Sequence, residues 1–236
     1  MGRIFEKRKH KMFARYDKMA KAFTRIGKEI AIAVKQSGPD PANNPRLRAA
    51  MQNAKGINMP KDRIENAVKR ASSKDESNFE EVVYEGYGPF GVAVLVEAAT
   101  DNPTRTVANV RMYFNRGNGA LGKTGSLDFV FTRKGVFTLD SAGLNAEDLE
   151  LELIDFGLDH LEKNDDGEMI IYTAFTDYGK MQKALEDKNI AVKKSGLERI
   201  PTSLANVTEE QIDEVLELVE KLEADDDVQA VYHNLS

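Results

Sequence analysis

The sequence of 236 residues contains no cysteine, no tryptophan and only three histidines. Without cysteine the chain has no disulfide framework, no thiolate nucleophile and no cysteine zinc site. The histidines, His10, His160 and His233, do not have metal-ligand spacing. No apolar run approaches the roughly 18 residues that a membrane span needs, and the chain does not start with a secretory hydrophobic segment. We therefore expect a cytoplasmic protein that uses neither a metal nor a cofactor.

The common catalytic motifs are also missing from the sequence. It contains no Gly-x-Ser-x-Gly elbow, no His-Glu-x-x-His helix and no Walker loop. Asp225–Asp227 lacks the glycine and the terminal glutamate of a calcium loop and is expected to be a solvated turn. These absences predict a protein that is not an enzyme.

Charge is distributed very unevenly along the chain. Residues 1–70 contain 18 Lys and Arg against 6 Asp and Glu, and the remaining residues contain 15 against 33. An asymmetry of this size indicates a polyanionic partner for the basic part, and nucleic acid is the partner we expect. The alternative is a basic domain that docks on its own acidic neighbours.

Residues 1–77 are predicted to form a basic domain of three helices. Apolar residues recur every three or four positions over 13–35, Asn44-Pro45 and Pro60 mark two further helix starts, and Gly56 ends the second helix. The predicted phosphate-binding residues are cations of these helices: Lys18, Lys21, Arg25, Lys28, Lys35, Arg46, Arg48, Lys55, Lys61 and Arg63.

The first twelve residues have few apolar positions, which predicts a mobile arm that follows a phosphate backbone or a groove. The cations of the arm are Arg3, Lys7, Arg8, Lys9 and Lys11. Aromatic residues do not alternate with the cations of the following helix, so its basic face predicts backbone binding rather than base stacking.

The central stretch, Tyr84–Phe131, organises the rest of the chain. Its opening run Tyr84–Gly91 contains the spacing Gly-x-Gly-x-x-Gly, but it precedes a strand rather than a helix, and Pro89 removes an amide. We interpret it as a structural turn and possible interaction site, together with the helix start that follows the strand. The residues concerned are Glu85, Gly86, Gly88, Pro89, Gly91, Asp101, Asn102 and Arg105.

The element order predicts an α+β protein with the helical domain followed by two ferredoxin-like α/β domains. Residues 133–199 give the order β-α-β-β-α-β. Residues 78–132 and 200–236, with strands expected at 127–131 and 200–207, are predicted to form a second, discontinuous domain into which 133–199 is inserted. A single continuous sheet is the alternative.

Several motifs in this order resemble the YebC/PmpR family. They are Pro41–Arg48, Met59–Ile64, Tyr84–Pro89, Thr100–Asn102 and Arg105–Val107. The similarity extends from about Lys18 to the C-terminus. It implies a helical first domain, two α/β domains and nucleic-acid binding.

Members of that family include bacterial proteins named as transcriptional regulators and a mitochondrial translational activator. Some are linked to DNA, and others to ribosomes and to difficult nascent sequences such as proline runs. Many begin with a segment that contains histidine, serine and tryptophan, whereas this chain begins Met1–Lys9 without tryptophan. The chain therefore resembles a second branch of the family.

Two hypotheses follow for the function. In the first, the chain is a DNA-binding transcriptional regulator or, alternatively, a ribosome-associated translation factor that binds rRNA, and the acidic domains contact ribosomal or other proteins. In the second, the region from Gly86 to Asp101, with Glu85 and Glu97 nearby, forms the site of a small-molecule or metal-dependent enzyme. We favour the first.

Overall fold

The computed structural model describes residues 3–73, 78–141, 143–164 and 166–235, and the side chains from residue 19 onward. The fold class is α+β, as predicted: N-terminal helices are followed by two four-stranded antiparallel sheets. The chain divides into two compact units, Met1–Phe79 and Glu80–Ser236, called here the helical unit and the sheet unit. None of the described helices is long and apolar enough to cross a membrane.

The helical unit contains the three predicted helices, α1 (Arg3–Ser37), α2 (Pro45–Gly56) and α3 (Lys61–Ala71). Its core is formed by one apolar face of each helix and includes Ile30, Leu47 and Ile64. The prediction of a mobile arm before residue 13 is wrong, because α1 already begins at Arg3. The first residues are mostly good helix formers, and no proline or glycine interrupts the chain from Arg3 to Ile26.

Asn44 connects α1 to α2 and is almost completely buried. Its Oδ1 accepts a hydrogen bond from the Leu47 amide at 3.0 Å, which caps α2 as predicted. Its Nδ2 donates to the carbonyls of Ala33 at 2.7 Å and Gly38 at 2.9 Å. All the polar groups of this side chain are therefore used inside the fold.

In the sheet unit, the first sheet has the strand order β3-β1-β2-β8. Its elements are β1 (Glu80–Tyr87), β2 (Ala93–Thr100), α4 (Pro103–Arg116), β3 (Ala120–Leu121), α7 (Glu209–Glu223) and β8 (Val228–His233). Helices α4 and α7 pack on one face of β2, and Leu127, Val130 and Phe131 cover the other face. Strand β2 is therefore buried on both sides, as its continuous apolar sequence indicates.

The second sheet has the order β5-β6-β4-β7, which is the ferredoxin-like arrangement predicted for residues 133–199. Its elements are β4 (Phe131–Leu139), α5 (Ala146–Leu153), β5 (Leu158–Lys163), β6 (Met169–Ala174), α6 (Tyr178–Asp187) and β7 (Val192–Pro201). The chain forms two separate sheets rather than the continuous one considered as the alternative. The assignment of 133–199 to an inserted domain stays a prediction.

Two predicted strands of the first sheet are wrong. Residues 127–130 are turns, because the carboxylate of Glu85 accepts hydrogen bonds from the backbone amides of Gly125 at 2.9 Å and Leu127 at 2.6 Å. Past Pro201 the chain leaves the sheet and forms only a single bridge, between Ala205 and Leu235. In the first sheet, β1 and β3 take the places of the two wrongly predicted strands. Strand β1 precedes β2 in the chain and pairs with both β2 and β3.

Candidate nucleic-acid interface

The predicted basic ridge lies on α1, the helix whose apolar face packs on α2 and α3. Lys21, Arg25 and Lys28 follow each other at four- and three-residue spacing and are half-buried, so they share one flank of the helix. Lys35 is exposed in the last turn. The side chain of Lys18 lies outside the described residues, as do those of the predicted arm cations, whose backbone belongs to α1.

Arg46 and Arg48 do not project freely, although the sequence predicts that they do. Arg48 Nη1 donates to the carbonyls of Pro41 at 2.8 Å and Ala42 at 3.1 Å. Arg46 Nη1 donates to Gln36 Oε1 at 3.0 Å. Both guanidinium groups therefore help to fix the connection between α1 and α2, Arg48 through carbonyls of the connecting turn and Arg46 through a side chain in the last turn of α1.

Helix α3 carries a second set of cations. Lys61, Arg63, Lys69 and Arg70 are exposed, and Lys55 is exposed in the last turn of α2. Lys61 forms an exposed ion pair with Glu65 at 3.6 Å, an interaction that contributes little to stability.

A groove of about 940 Å³ runs between α1 and α3. Among the described residues that line it, four are cationic and none is acidic. The lining residues are Ala20, Phe23, Thr24, Gly27, Lys28, Ala31, Met59, Arg63, Asn66, Ala67, Lys69, Arg70, Ser73 and Phe79.

Two aromatic rings of the groove are paired with cations. The Arg63 guanidinium lies 5.8 Å from the ring centroid of Phe23, and Lys28 Nζ lies 5.2 Å from that of Phe79. Such pairs are cation–π contacts. The groove therefore offers aromatic surface next to its cations, which the sequence of α1 alone does not predict.

The groove includes residues that sequence reasoning missed. Phe23 belongs to the apolar stripe of α1, which predicts a core position, and Phe79 lies beyond the three predicted helices. Lys69 and Arg70 are not among the predicted phosphate-binding residues. These side chains come together only where α1 contacts α3. The adjacent cations Lys69 and Arg70 in the last turn of α3 are the one sequence signal that could have pointed to this part of the site.

The glycine run contains a strand as well as a turn, which corrects the interpretation of Tyr84–Gly91. Glu85 and Gly86 belong to β1, and the turn covers Gly88–Gly91. Gly86 lies under the Phe114 ring: a Cβ there would lie 2.8 Å from Phe114 Cε1 and 2.6 Å from the Ala120 carbonyl oxygen. Only glycine fits at this position of the strand, because Phe114 of α4 and Ala120 of β3 approach the backbone closely.

The turn and the buried carboxylate beside it have structural roles. Pro89 is buried, and Gly91 follows it with φ +75°, in the left-handed region that favours glycine. Glu85 is buried and binds the backbone of 125–127. Packing and turn geometry therefore account for glycine at 86 and 91.

The start of α4 is tied to the turn before β8. Asn102 Oδ1 caps α4 by accepting from the Arg105 amide at 3.1 Å. Arg105 Nη2 donates to Asp101 Oδ1 at 3.0 Å and to Asp227 Oδ2 at 2.6 Å. The hydrogen bond to Asp227 is the main cause of the raised pKa of Arg105.

Asp227 is buried, so the turn Asp225–Asp227 is not simply solvated. The hydroxyls of Thr100 and Thr106 lie 3.2 and 2.8 Å from its Oδ2. Among the residues that the structure describes, no group of three or more His, Asp and Glu side chains is placed to hold a metal ion. The carboxylate binds protein donors instead.

The fold and the basic groove define a class of α+β proteins in which a cationic three-helix unit precedes two antiparallel sheets. Residues 3–74 match the family described as "TACO1/YebC protein N-terminal domain", and residues 79–235 match "TACO1/YebC second and third domain". The chain belongs to the TACO1/YebC family.

Individual relatives agree with this assignment. A protein of Cytophaga hutchinsonii, named "Probable transcriptional regulatory protein", is 60% identical over 236 residues, 100% of this chain and 99% of that protein. One of Parabacteroides distasonis with the same name is 54% identical over 100% of this chain and 97% of its own length. The crystal structure of a conserved hypothetical protein from Aquifex aeolicus has a TM-score of 0.82 at 36% identity, over 92% of this chain and 90% of that one.

Proposed function

We propose that the chain is a non-enzymatic regulator of gene expression in the cytoplasm, and that its helical unit binds nucleic acid through phosphate contacts. The observation that carries this proposal is a groove lined by Lys28 of α1 and three cations of α3, with no acidic residue among its described lining. The names of the relatives support a regulatory role. They favour DNA as the target and transcription as the regulated step.

A ribosome-associated translation factor is the second candidate. The cation–ring pairs of Phe23 and Phe79 favour it, because aromatic and guanidinium surfaces stack on unpaired bases, which folded RNA presents and duplex DNA does not. The excess of Asp and Glu after residue 70 also opposes general binding to duplex DNA. In this role the acidic sheet unit would contact ribosomal or other proteins.

The test is to cosediment the full chain with ribosomes over a salt series, and to measure duplex DNA binding in the same buffers. Lys21→Glu, Arg25→Glu and Lys28→Glu are combined in one variant, whose matched control reverses Lys123, Lys163 and Lys183 of the sheet unit. The first variant should lose binding about a hundredfold or more, and its salt slope on duplex DNA should fall by up to about 2.7. The control should keep its affinity within a few-fold.

Each result has a defined meaning. Selective DNA binding without ribosome association supports the transcriptional role, and salt-sensitive ribosome association with weak, sequence-independent DNA binding supports the translational role. Unchanged affinity in the helical-unit variant, at unchanged thermal stability, contradicts phosphate binding by α1.

A further inference from the structure

We infer that the groove between α1 and α3 is a site for unpaired nucleotides of a single-stranded polynucleotide. A base would lie against the apolar and aromatic lining, and its flanking phosphates would lie on the cationic rim. The inference rests on the proposed nucleic-acid binding and adds the form of nucleic acid that this site takes.

The charge of the rim fits a polyanionic strand. Lys28 lies on α1, and Arg63, Lys69 and Arg70 lie on α3, so cations line the groove from both helices. A strand that runs along the groove would pass between these cations and could place successive phosphates on either side. No described lining residue would repel it.

The interior of the groove fits a base better than it fits more phosphate. Phe23, Met59 and Phe79 give it apolar and aromatic surface, and the guanidinium of Arg63 lies over the Phe23 ring. Bases stack on aromatic rings and on guanidinium planes, with little preference for sequence. A volume of about 940 Å³ is at the upper end of the range for ligand-sized pockets.

A duplex cannot use this interior, because its bases are stacked on each other and its outer surface is convex. It could contact only the cations of the rim. The structure therefore predicts that filling the groove separates single-strand binding from duplex binding, whereas removing rim charge weakens both.

Gly27 allows the groove to be filled without a clash. It lies on α1 within the lining, and a Cβ built on it meets no atom within 4 Å beyond its chain neighbours and the backbone of its own helix. Leucine is a better helix former than glycine, so Gly27→Leu should not unfold α1. Gly179→Leu is the matched control, because Gly179 lies in α6 of the sheet unit and its Cβ likewise meets nothing within 4 Å.

The experiment measures fluorescence anisotropy of the full chain with a labelled 12-nucleotide oligouridylate and a 12-base-pair RNA duplex. Gly27→Leu and Phe23→Leu should each weaken oligouridylate binding about tenfold, as expected for the loss of one stacked base. Duplex binding should change less than twofold, and Gly179→Leu should change neither. Lys69→Glu with Arg70→Glu should weaken both ligands.

Other results would overturn the inference. If Gly27→Leu leaves oligouridylate binding unchanged while the rim variant weakens it, the groove is not the base site, but phosphate binding stands. Equal loss of both ligands in Gly27→Leu also rejects the site. If polyglutamate of the same charge displaces the oligonucleotide as well as unlabelled oligouridylate does, the groove takes an acidic peptide. If the unmodified chain binds neither RNA, the site fails; if it also binds neither duplex DNA nor ribosomes in the salt series, the proposed function fails with it.

Discussion

The helical unit and the sheet unit use charge in opposite ways. Among the described side chains of the helical unit, no charged group is buried, and the one buried polar side chain is the neutral Asn44. The sheet unit buries two carboxylates, Glu85 and Asp227, each held by several donors. Charge in the helical unit lies at the surface, where a partner can meet it, whereas part of the charge in the sheet unit stabilises the fold.

The largest effect that this comparison predicts is the loss of a buried carboxylate. Asp227→Ala should lower the free energy of unfolding by about 3 kcal/mol, because Thr100, Thr106 and Arg105 lose their common acceptor. Urea unfolding followed by circular dichroism measures the change. The exposed neighbour Asp226 provides the control variant Asp226→Ala, which should cost less than 1 kcal/mol. If both variants lower the free energy of unfolding equally, the buried carboxylate of Asp227 does not stabilise the sheet unit as the comparison requires.

The corresponding change in the helical unit replaces Asn44. Asn44→Ala should cost about 2 kcal/mol, since α2 loses its cap and the carbonyls of Ala33 and Gly38 lose a donor. Asn44→Asp keeps the cap acceptor but not the two donors, and it places a charge in a buried site. It should therefore unfold at a lower urea concentration than Asn44→Ala, and the reverse order would show that the cap matters more than the donated hydrogen bonds.

The smallest predicted effect concerns pH and the sheet unit. Burial lowers the pKa of His233 below its ordinary value, and Glu223 opposes this only in part. Because protonation then favours the unfolded chain, the stability that neutral His233 provides is complete above about pH 6.5 and is lost as the pH falls below it. The chain should therefore lose more stability between pH 7.5 and 5.5 than His233→Gln does. An equal loss would show that other groups cause the pH dependence.

Most helices could be predicted because their ends are encoded locally. Asn102-Pro103 starts α4, Thr208 and Gln211 form a capping box at the start of α7, and Gly157 ends the turn after α5 with φ +88°. These signals depend on neighbouring residues alone. Their agreement with the structure follows from that locality.

The strands of the first sheet were less predictable because distant residues decide them. The sequence around Gly86 predicts a turn, yet Gly86 pairs with Val94 and Leu121 in the first sheet, and Phe114 fills the space that a side chain there would need. The sequence of residues 127–130 predicts a strand. These residues form turns instead, and the carboxylate of Glu85 accepts hydrogen bonds from the backbone amides of Gly125 and Leu127. Neither contact is visible in a local sequence pattern.

The candidate site likewise has features that local sequence predicts and features that depend on distant residues. Helical spacing alone predicts the cations of α1 on one flank. It cannot predict that Lys28 lies in a groove formed with α3, or that Arg48 is held by the carbonyls of Pro41 and Ala42. Both depend on how the three helices pack.

The position of β8 in the first sheet has a consequence for the order in which the chain can fold during synthesis. The second sheet closes when Phe131 pairs with Pro201, so it can be completed while the last residues are still being made. The first sheet must wait for β8, and until then β2 is an unpaired edge with a continuous apolar sequence. Such an edge pairs readily with other chains. A chain released before residue 228 should therefore aggregate through β2 rather than merely lack its final strand.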